Sequence, residues 1–235
     1  MKYLRKSKER GYADHGWLKS YHTFSFADYY DSNFMGFGPL RVINEDELEP
    51  GTGFPLHGHK NMEIITLVLE GAIEHKDILG NKEVVPYGHI QRMSAGSGIR
   101  HSEFNPSKTE NLKLLQVWIE PNQIDVHPRY DRKDFTLAHQ QPGLKTLVGG
   151  NDNSEELSIY QNATISHGLY LPKEKINLAL NNESKYWIQL FKGQLKDTLS
   201  DLILVPGDGL AITQETKLEF ETDQKTEFYL FEFYS

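Results

Sequence analysis

Short runs of β-branched and aromatic residues, each closed by Gly, Pro, Asn or Asp, recur along the chain: Leu40–Asn44, Met62–Leu69, Leu112–Glu120, Tyr186–Phe191, Leu202–Pro206 and Thr226–Tyr234. Each is about one strand long, and no 3.6-residue periodicity extends beyond a turn or two, so the chain reads as all-β with little helix. Turn signals stand at Leu79-Gly80-Asn81, Pro86-Tyr87-Gly88, Gly149-Gly150-Asn151 and Pro206-Gly207-Asp208-Gly209. A chain of 235 residues with this pattern is expected to form two β lobes. Val85-Pro86-Tyr87-Gly88 is echoed by Val205-Pro206-Gly207-Asp208-Gly209, which points to a duplicated domain. The polar stretch from Tyr130 to Asn153 holds the boundary, which we place at residue 140, giving lobes of residues 1–140 and 141–235.

The absence of cysteine excludes a disulfide scaffold, thiol catalysis and thiolate metal sites, so any metal must sit on nitrogen and oxygen. The formal charge of −8 is spread unevenly, with the larger acidic excess in residues 141–235. A net-acidic chain without a basic stripe lacks the counterion-release drive for binding a phosphate backbone, and no nucleic acid partner is expected. Five of the first ten residues are basic, but no apolar stretch of signal-peptide or membrane-spanning length follows. The expectation is a soluble, cytoplasmic monomer that needs no membrane.

Chemistry concentrates in two segments. In a strand, residues two apart share a face, so His57 and His59 of HGHKNMEI point the same way, as do His101 and Glu103 of HSEFN. If the two segments are neighbouring strands with those faces inward, three imidazoles and a carboxylate converge on a nitrogen/oxygen site suited to a divalent first-row metal. Four such ligands on an octahedral ion leave two positions open, whereas a closed tetrahedral zinc site leaves none. Counted along the same strand, Glu63 shares the parity of His57 and His59 and competes with Glu103 for the carboxylate position. Its other reading is a residue that orients a histidine from behind. Phe54 and Phe104 flank the two segments and are candidate pocket walls. Seven aromatics crowd Tyr21–Phe37, either as a lid for a planar ligand or as filling beneath the sheets. The remaining histidines, His75 among them, have no partner at ligand spacing. After residue 140 only His167 remains, so the second lobe lacks the four-ligand set.

Gly51-x5-His57-x-His59-x3-Glu63-x7-Gly71 resembles the first cupin motif, with one extra residue before the last glycine. Gly80-x5-Pro86-x-Gly88, followed by His101-x3-Asn105, resembles the second, with a longer gap than is usual. Together with His22-Thr-Phe-Ser-Phe-Ala-Asp-Tyr-Tyr, Met35-Gly-Phe-Gly-Pro-Leu-Arg-Val-Ile-Asn-Glu-Asp and Met93-Ser-Ala-Gly-Ser-Gly-Ile-Arg-His-Ser-Glu-Phe-Asn, these departures resemble the pirin family, in particular bacterial pirin-like quercetin 2,3-dioxygenases. The resemblance is dense over residues 12–135 and thin afterwards.

The resemblance implies two cupin (double-stranded β-helix, jelly-roll) barrels packed together, the N-terminal one metal-binding and the C-terminal one degenerate. It implies His57, His59, His101 and Glu103 as metal ligands, with Glu63 on the inner wall or behind a ligand. The implied ion is Fe(II), with Mn, Co, Ni, Cu or Zn chemically admissible. The implied reaction opens the heterocycle of a flavonol such as quercetin, or a similar planar polyphenol, with dioxygen and releases carbon monoxide, Glu103 accepting the hydroxyl proton. The alternative is a metal-binding regulatory or interaction protein whose flavonol turnover is incidental. Gly58 departs from the proline common between the two histidines, and the expected consequence is a freer loop.

Overall fold

The computed structural model describes residues 1–149 and 155–234, so part of the turn expected at Gly149-Gly150-Asn151 lies outside the described residues. Among those described, nearly all regular structure is strand. The one α-helix among the described residues, Thr136–Gln140, is five residues long, and no helix among them is long and apolar enough to cross a membrane.

The chain divides into two compact units: Gly11–Thr136 with Ile159–Gln161, and Met1–Arg10 with Leu137–Ser158 and Asn162–Ser235. In chain order the strands are β1 (Lys2–Arg5), β2 (Gly11–Asp14), β3 (Leu18–His22), β4 (Leu40–Leu48), β5 (Gly53–His59), β6 (Glu63–Glu70), β7 (Ala72–Asp77), β8 (Lys82–Pro86), β9 (His89–Ser94), β10 (Ile99–Phe104), β11 (Leu112–Ile119) and β12 (Arg129–Asp134). They continue as β13 (Gly143–Gly149), β14 (Leu157–Ser158), β15 (Ala163–Tyr170), β16 (Lys175–Ala179), β17 (Lys185–Lys192), β18 (Leu195–Asp197), β19 (Ile203–Leu204), β20 (Gly209–Thr213), β21 (Lys217–Glu221) and β22 (Thr226–Phe233).

The first unit pairs a seven-stranded sheet, β12-β9-β6-β11-β4-β3-β2, with a four-stranded sheet, β5-β10-β7-β8. The second repeats the plan with β1-β20-β17-β22-β15-β13-β14 and β16-β21-β18-β19. Superimposing the two orders strand by strand sets β1 in the place of β12, so the chain's first strand completes the sheet of the second unit. The valine-proline echo falls on the same connection in both, β8 to β9 and β19 to β20, where the chain leaves the small sheet for the large one. The fold is thus a duplicated cupin-type barrel.

Alternation drives each closure, because residues at every second position face the opposing sheet. In the first unit Leu48, Val68, Leu112 and Leu114 of the large sheet meet Ile73 and Val85 of the small one. In the second, Ile188, Leu210, Phe228 and Leu230 meet Ile176, Leu195, Leu218 and Phe220. The strand equivalence also explains the degeneracy of the second unit. Where β5 and β10 bring His57 opposite His101, β16 and β21 bring Ile176 opposite Phe220 and Leu178 opposite Leu218.

One buried charge in the second unit carries a testable stability. Glu227 is 1% exposed, with His167 Nε2 3.3 Å from one carboxylate oxygen and Lys192 and Lys225 at 3.3 and 3.1 Å from the other. Burial pushes this carboxyl up, but His167, Lys225 and Lys192 outweigh it and hold it down at about 2. A depressed acid stabilises the fold above its unfolded pKa, and that contribution disappears as pH falls through the folded value. Glu227→Gln is therefore expected to cost on the order of 2–3 kcal/mol near neutrality. Urea unfolding should show the gap to the wild type closing as the pH drops from 4.5 towards 2.

Candidate metal centre

Strand β10 runs antiparallel between β5 and β7 and is the keystone of the site. Its register sets His101 opposite His57 and Ile99 opposite His59. A bulge then intervenes, and Glu103 lies opposite Phe54. The extra residue falls on the β5 side near Pro55, where a proline with no N–H to donate is tolerated. Close approach fixes this stretch: a Cβ on Gly53 would lie 2.2 Å from the Glu103 carbonyl oxygen. Gly58 is different. It sits in the ladder opposite Arg100, part of a strand rather than a loop, and a Cβ there meets nothing nearer than 3.6 Å.

The three histidine rings converge, with centroids 4.8 Å apart for His57 and His59, 4.5 Å for His57 and His101, and 5.0 Å for His59 and His101. One ligand atom from each lies within 4.8 Å of the others. Hydrogen bonding orients them. His57 Nδ1 lies 2.7 Å from the Pro55 carbonyl oxygen, so Nδ1–H donates there and Nε2 keeps its lone pair. His101 Nε2 is buried with no hydrogen-bond partner. Burial pulls His59 down to about 4, and burial followed by the neighbouring histidines pulls His101 down to about 2. Both are neutral at physiological pH and able to coordinate.

Glu103 is 3% exposed and clamped by three donors: Gln91 Nε2, Thr66 Oγ1 at 3.3 Å and Gln116 Nε2 at 2.8 Å. Burial still pushes its carboxyl up to about 7. With His101 and His75 it forms a second group whose ligand atoms also lie within 4.8 Å of one another. His101 belongs to both groups.

His75 is a site residue that spacing alone misses. It is fully buried opposite Glu103 on β7, and its Nδ1 lies 3.4 Å from His101 Nδ1. Its Nε2 lies 3.1 Å from Asp77 Oδ2, and its ring stacks on Tyr130 at 4.1 Å. A signal was present, since His75-Lys76-Asp77 repeats the two-apart arithmetic of the other pairs. The chain Asp77–His75–His101 leaves His101 Nε2 facing the other imidazoles. His75→Phe is accordingly expected to weaken metal binding ~10–100-fold while the protein stays folded, measured by competition with a chelator of known affinity.

The other expected residues separate. Glu63 stands on the opposite face of the large sheet, where it accepts a 2.7 Å hydrogen bond from Ser94 Oγ near Arg92 and Arg129. This corrects the parity count: the chain turns between His59 and Glu63, so Glu63 opens β6 and its side counts anew. Phe54 lines the cavity and packs edge-on against Trp17 at 5.5 Å. Phe104 alternates away from Glu103 and does not line it. Of the Tyr21–Phe37 aromatics, Phe24 and Phe34 are buried filling, whereas Phe26 and Tyr29 line the cavity.

That cavity, about 730 Å³, reaches His57, His59, His101 and Glu103 within the first unit. Trp118 stands edge-on to His59 at 4.9 Å and to Phe26 at 5.4 Å, giving the cavity an aromatic wall.

A cupin barrel with three imidazoles and a carboxylate on its inner face defines the class: a metal-site cupin with a degenerate twin. The family model for pirin matches residues 3–119, and that for the quercetinase C-terminal cupin domain matches residues 146–233. The chain is 46% identical to a quercetin 2,3-dioxygenase of Escherichia coli K12, over 99% of this chain and 98% of that one. It is 39% identical to a pirin-like protein of Caulobacter vibrioides, over 94% of each. The crystal structure of the bacterial pirin YhhW from E. coli in complex with nickel(II) superimposes with a TM-score of 0.93 at 45% identity, covering 99% of both chains. The chain belongs to the pirin family.

Proposed function

We propose that this chain is a metal-dependent dioxygenase that opens the heterocycle of flavonols such as quercetin with release of carbon monoxide. The observation that carries the reading is that three converging imidazoles and a buried carboxylate line one aromatic-walled cavity, in a chain 46% identical to a quercetin 2,3-dioxygenase over nearly its whole length. The alternative regulatory role draws support from no feature of the site.

The donor set fits a divalent first-row ion: the orphaned His101 Nε2, the lone pair kept on His57 Nε2, and a carboxylate whose burial an adjacent cation would offset. We assign His57, His59, His101 and Glu103 as its ligands and Fe(II) as the ion, with Mn, Co, Ni, Cu and Zn as competitors set by availability. When bound, such an ion supplies Lewis acidity that favours the deprotonated flavonol 3-hydroxyl and open positions at which the reactants meet.

The protein supplies the rest. Glu103 Oε2 accepts a hydrogen bond from Gln116, while Oε1 holds Gln91 and Thr66, so Oε2 is the freer acceptor for the 3-hydroxyl proton. Trp118, Phe26 and Tyr29 offer flat apolar surface to the fused rings and keep water from the electron-rich flavonol. In the balanced reaction C2 and C4 each gain one oxygen atom of dioxygen, and C3 leaves with its own oxygen as carbon monoxide.

The test is turnover of quercetin in air by metal-loaded and chelator-stripped protein, followed through the flavonol absorbance. Loss of absorbance with the loaded protein alone is expected. Equal rates for both, or turnover without dioxygen, would overturn the reading.

A further inference from the structure

Pairing across the large sheet of the first unit sets Gln91 opposite Thr66, Thr66 opposite Gln116, Gln116 opposite Asn44 and Asn44 opposite His22. One polar row thus crosses β9, β6, β11, β4 and β3 on the inner face, flanked by rows such as Val68 and Leu114 on one side and Ile64 and Trp118 on the other. All five side chains are buried. Polar groups on the inner face of a barrel are costly unless paired, so the row needs an explanation at each end.

The β9 end has one, because Gln91, Thr66 and Gln116 all donate to Glu103. The β3 end does not touch Glu103. There His22 Nδ1 donates to Asn44 Oδ1 at 2.9 Å, and Ser20, in the next row and opposite Asp46, donates its hydroxyl to Asp46 Oδ1. Asn44 and Asp46 are 4% and 3% exposed, and both line the cavity with Ser20 and His22. Among the described residues, Asn44 Nδ2 donates to no protein group and Asp46 Oδ2 accepts from none. An amide donor and a carboxylate acceptor with capacity to spare, carried on two buried residues of the same strand face, stand side by side on the cavity wall. The ring contacts His59–Trp118, Trp118–Phe26 and Phe26–His22, at 4.9, 5.4 and 5.3 Å, join this patch to the histidine cluster along one aromatic wall.

We propose that Asn44, Asp46 and Ser20 form a hydroxyl-recognition subsite, which takes a phenolic hydroxyl of an aromatic ligand held in the cavity. The hydroxyl donates to Asp46 Oδ2 and accepts from Asn44 Nδ2. This deepens the flavonol reading, on which it rests for the identity of the substrate. Burial holds the Asp46 carboxyl up near 7, so the uncharged form that shares its proton with a phenol oxygen is also accessible. A wall built to hydrogen-bond a hydroxyl discriminates against the analogue that lacks it, because the analogue leaves the buried groups unpaired.

The test uses phenol and toluene, matched in size, titrated by calorimetry into the metal-loaded full-length chain and into its Asn44→Leu and Ser20→Ala variants, with metal content measured in each. The wild type should prefer phenol by about tenfold. Asn44→Leu should bring the two affinities within about twofold by weakening phenol alone, and the milder Ser20→Ala, which deletes a single oxygen, should move the ratio the same way. An unchanged ratio in both variants, or a parallel loss of both ligands, would overturn the subsite. Quercetin turnover by the wild type is run beside it. An altered ratio without turnover would remove the flavonol reading and leave the subsite, and turnover with an unaltered ratio would do the reverse.

Discussion

Replacing His101 with alanine is expected to cost most of the metal affinity and, with it, flavonol turnover. His101 is the member shared by both ligand groups, and its Nε2 is the one imidazole nitrogen of the cluster that is buried without a hydrogen bond. Nothing else on β10 replaces it, because its neighbours Arg100 and Ser102 point to the other face. The loss should exceed the ~10–100-fold expected when only a hydrogen-bond partner of a ligand is removed. His75→Phe therefore serves as the internal scale. Metal content after gel filtration and a chelator competition give the affinity, and retention of a full equivalent of metal by His101→Ala would contradict the ligand assignment.

The second large effect is expected at Glu103. Glu103→Gln keeps the size of the side chain but removes the charge and the basic oxygen, and it sets an amide against three donors from Gln91, Thr66 and Gln116. Turnover should fall ~10²–10⁴-fold, the range for loss of a positioned base. The role as ligand and the role as proton acceptor separate in the same experiment. A protein that loses metal and rate together reports the first. One that holds metal tightly yet fails to turn over reports the second, and one that holds metal with kcat intact contradicts both.

Much of this was legible in the residues, for reasons that follow from strand geometry. Period-two alternation makes His57/His59 and His101/Glu103 same-face pairs wherever the strands end up, and the valine-proline echo marks the same sheet-to-sheet step in both barrels. Parity stopped being a guide where the chain turned. Glu63 opens a new strand after Lys60–Met62 and so points to the far face of the sheet, beside Ser94. His75 was hidden because its relation to the site is across strands, opposite Glu103, and pairing partners are not written in local spacing. The polar row from Gln91 to His22 is hidden for the same reason, being visible only once five strands are in register. β1 is hidden because a strand that completes a sheet built from the other end of the chain carries no mark of its destination. It pairs with β20, opposite residues more than two hundred positions away.

The most direct measurement of the central claim is a single turnover followed by its gas. Metal-loaded protein is mixed anaerobically with one equivalent of quercetin, and dioxygen is then admitted. The expected result is a shift of the flavonol absorbance on mixing, no reaction until dioxygen enters, and then one equivalent of carbon monoxide per quercetin consumed. Disappearance of quercetin without carbon monoxide, at a rate unaffected by removing the metal, would contradict it.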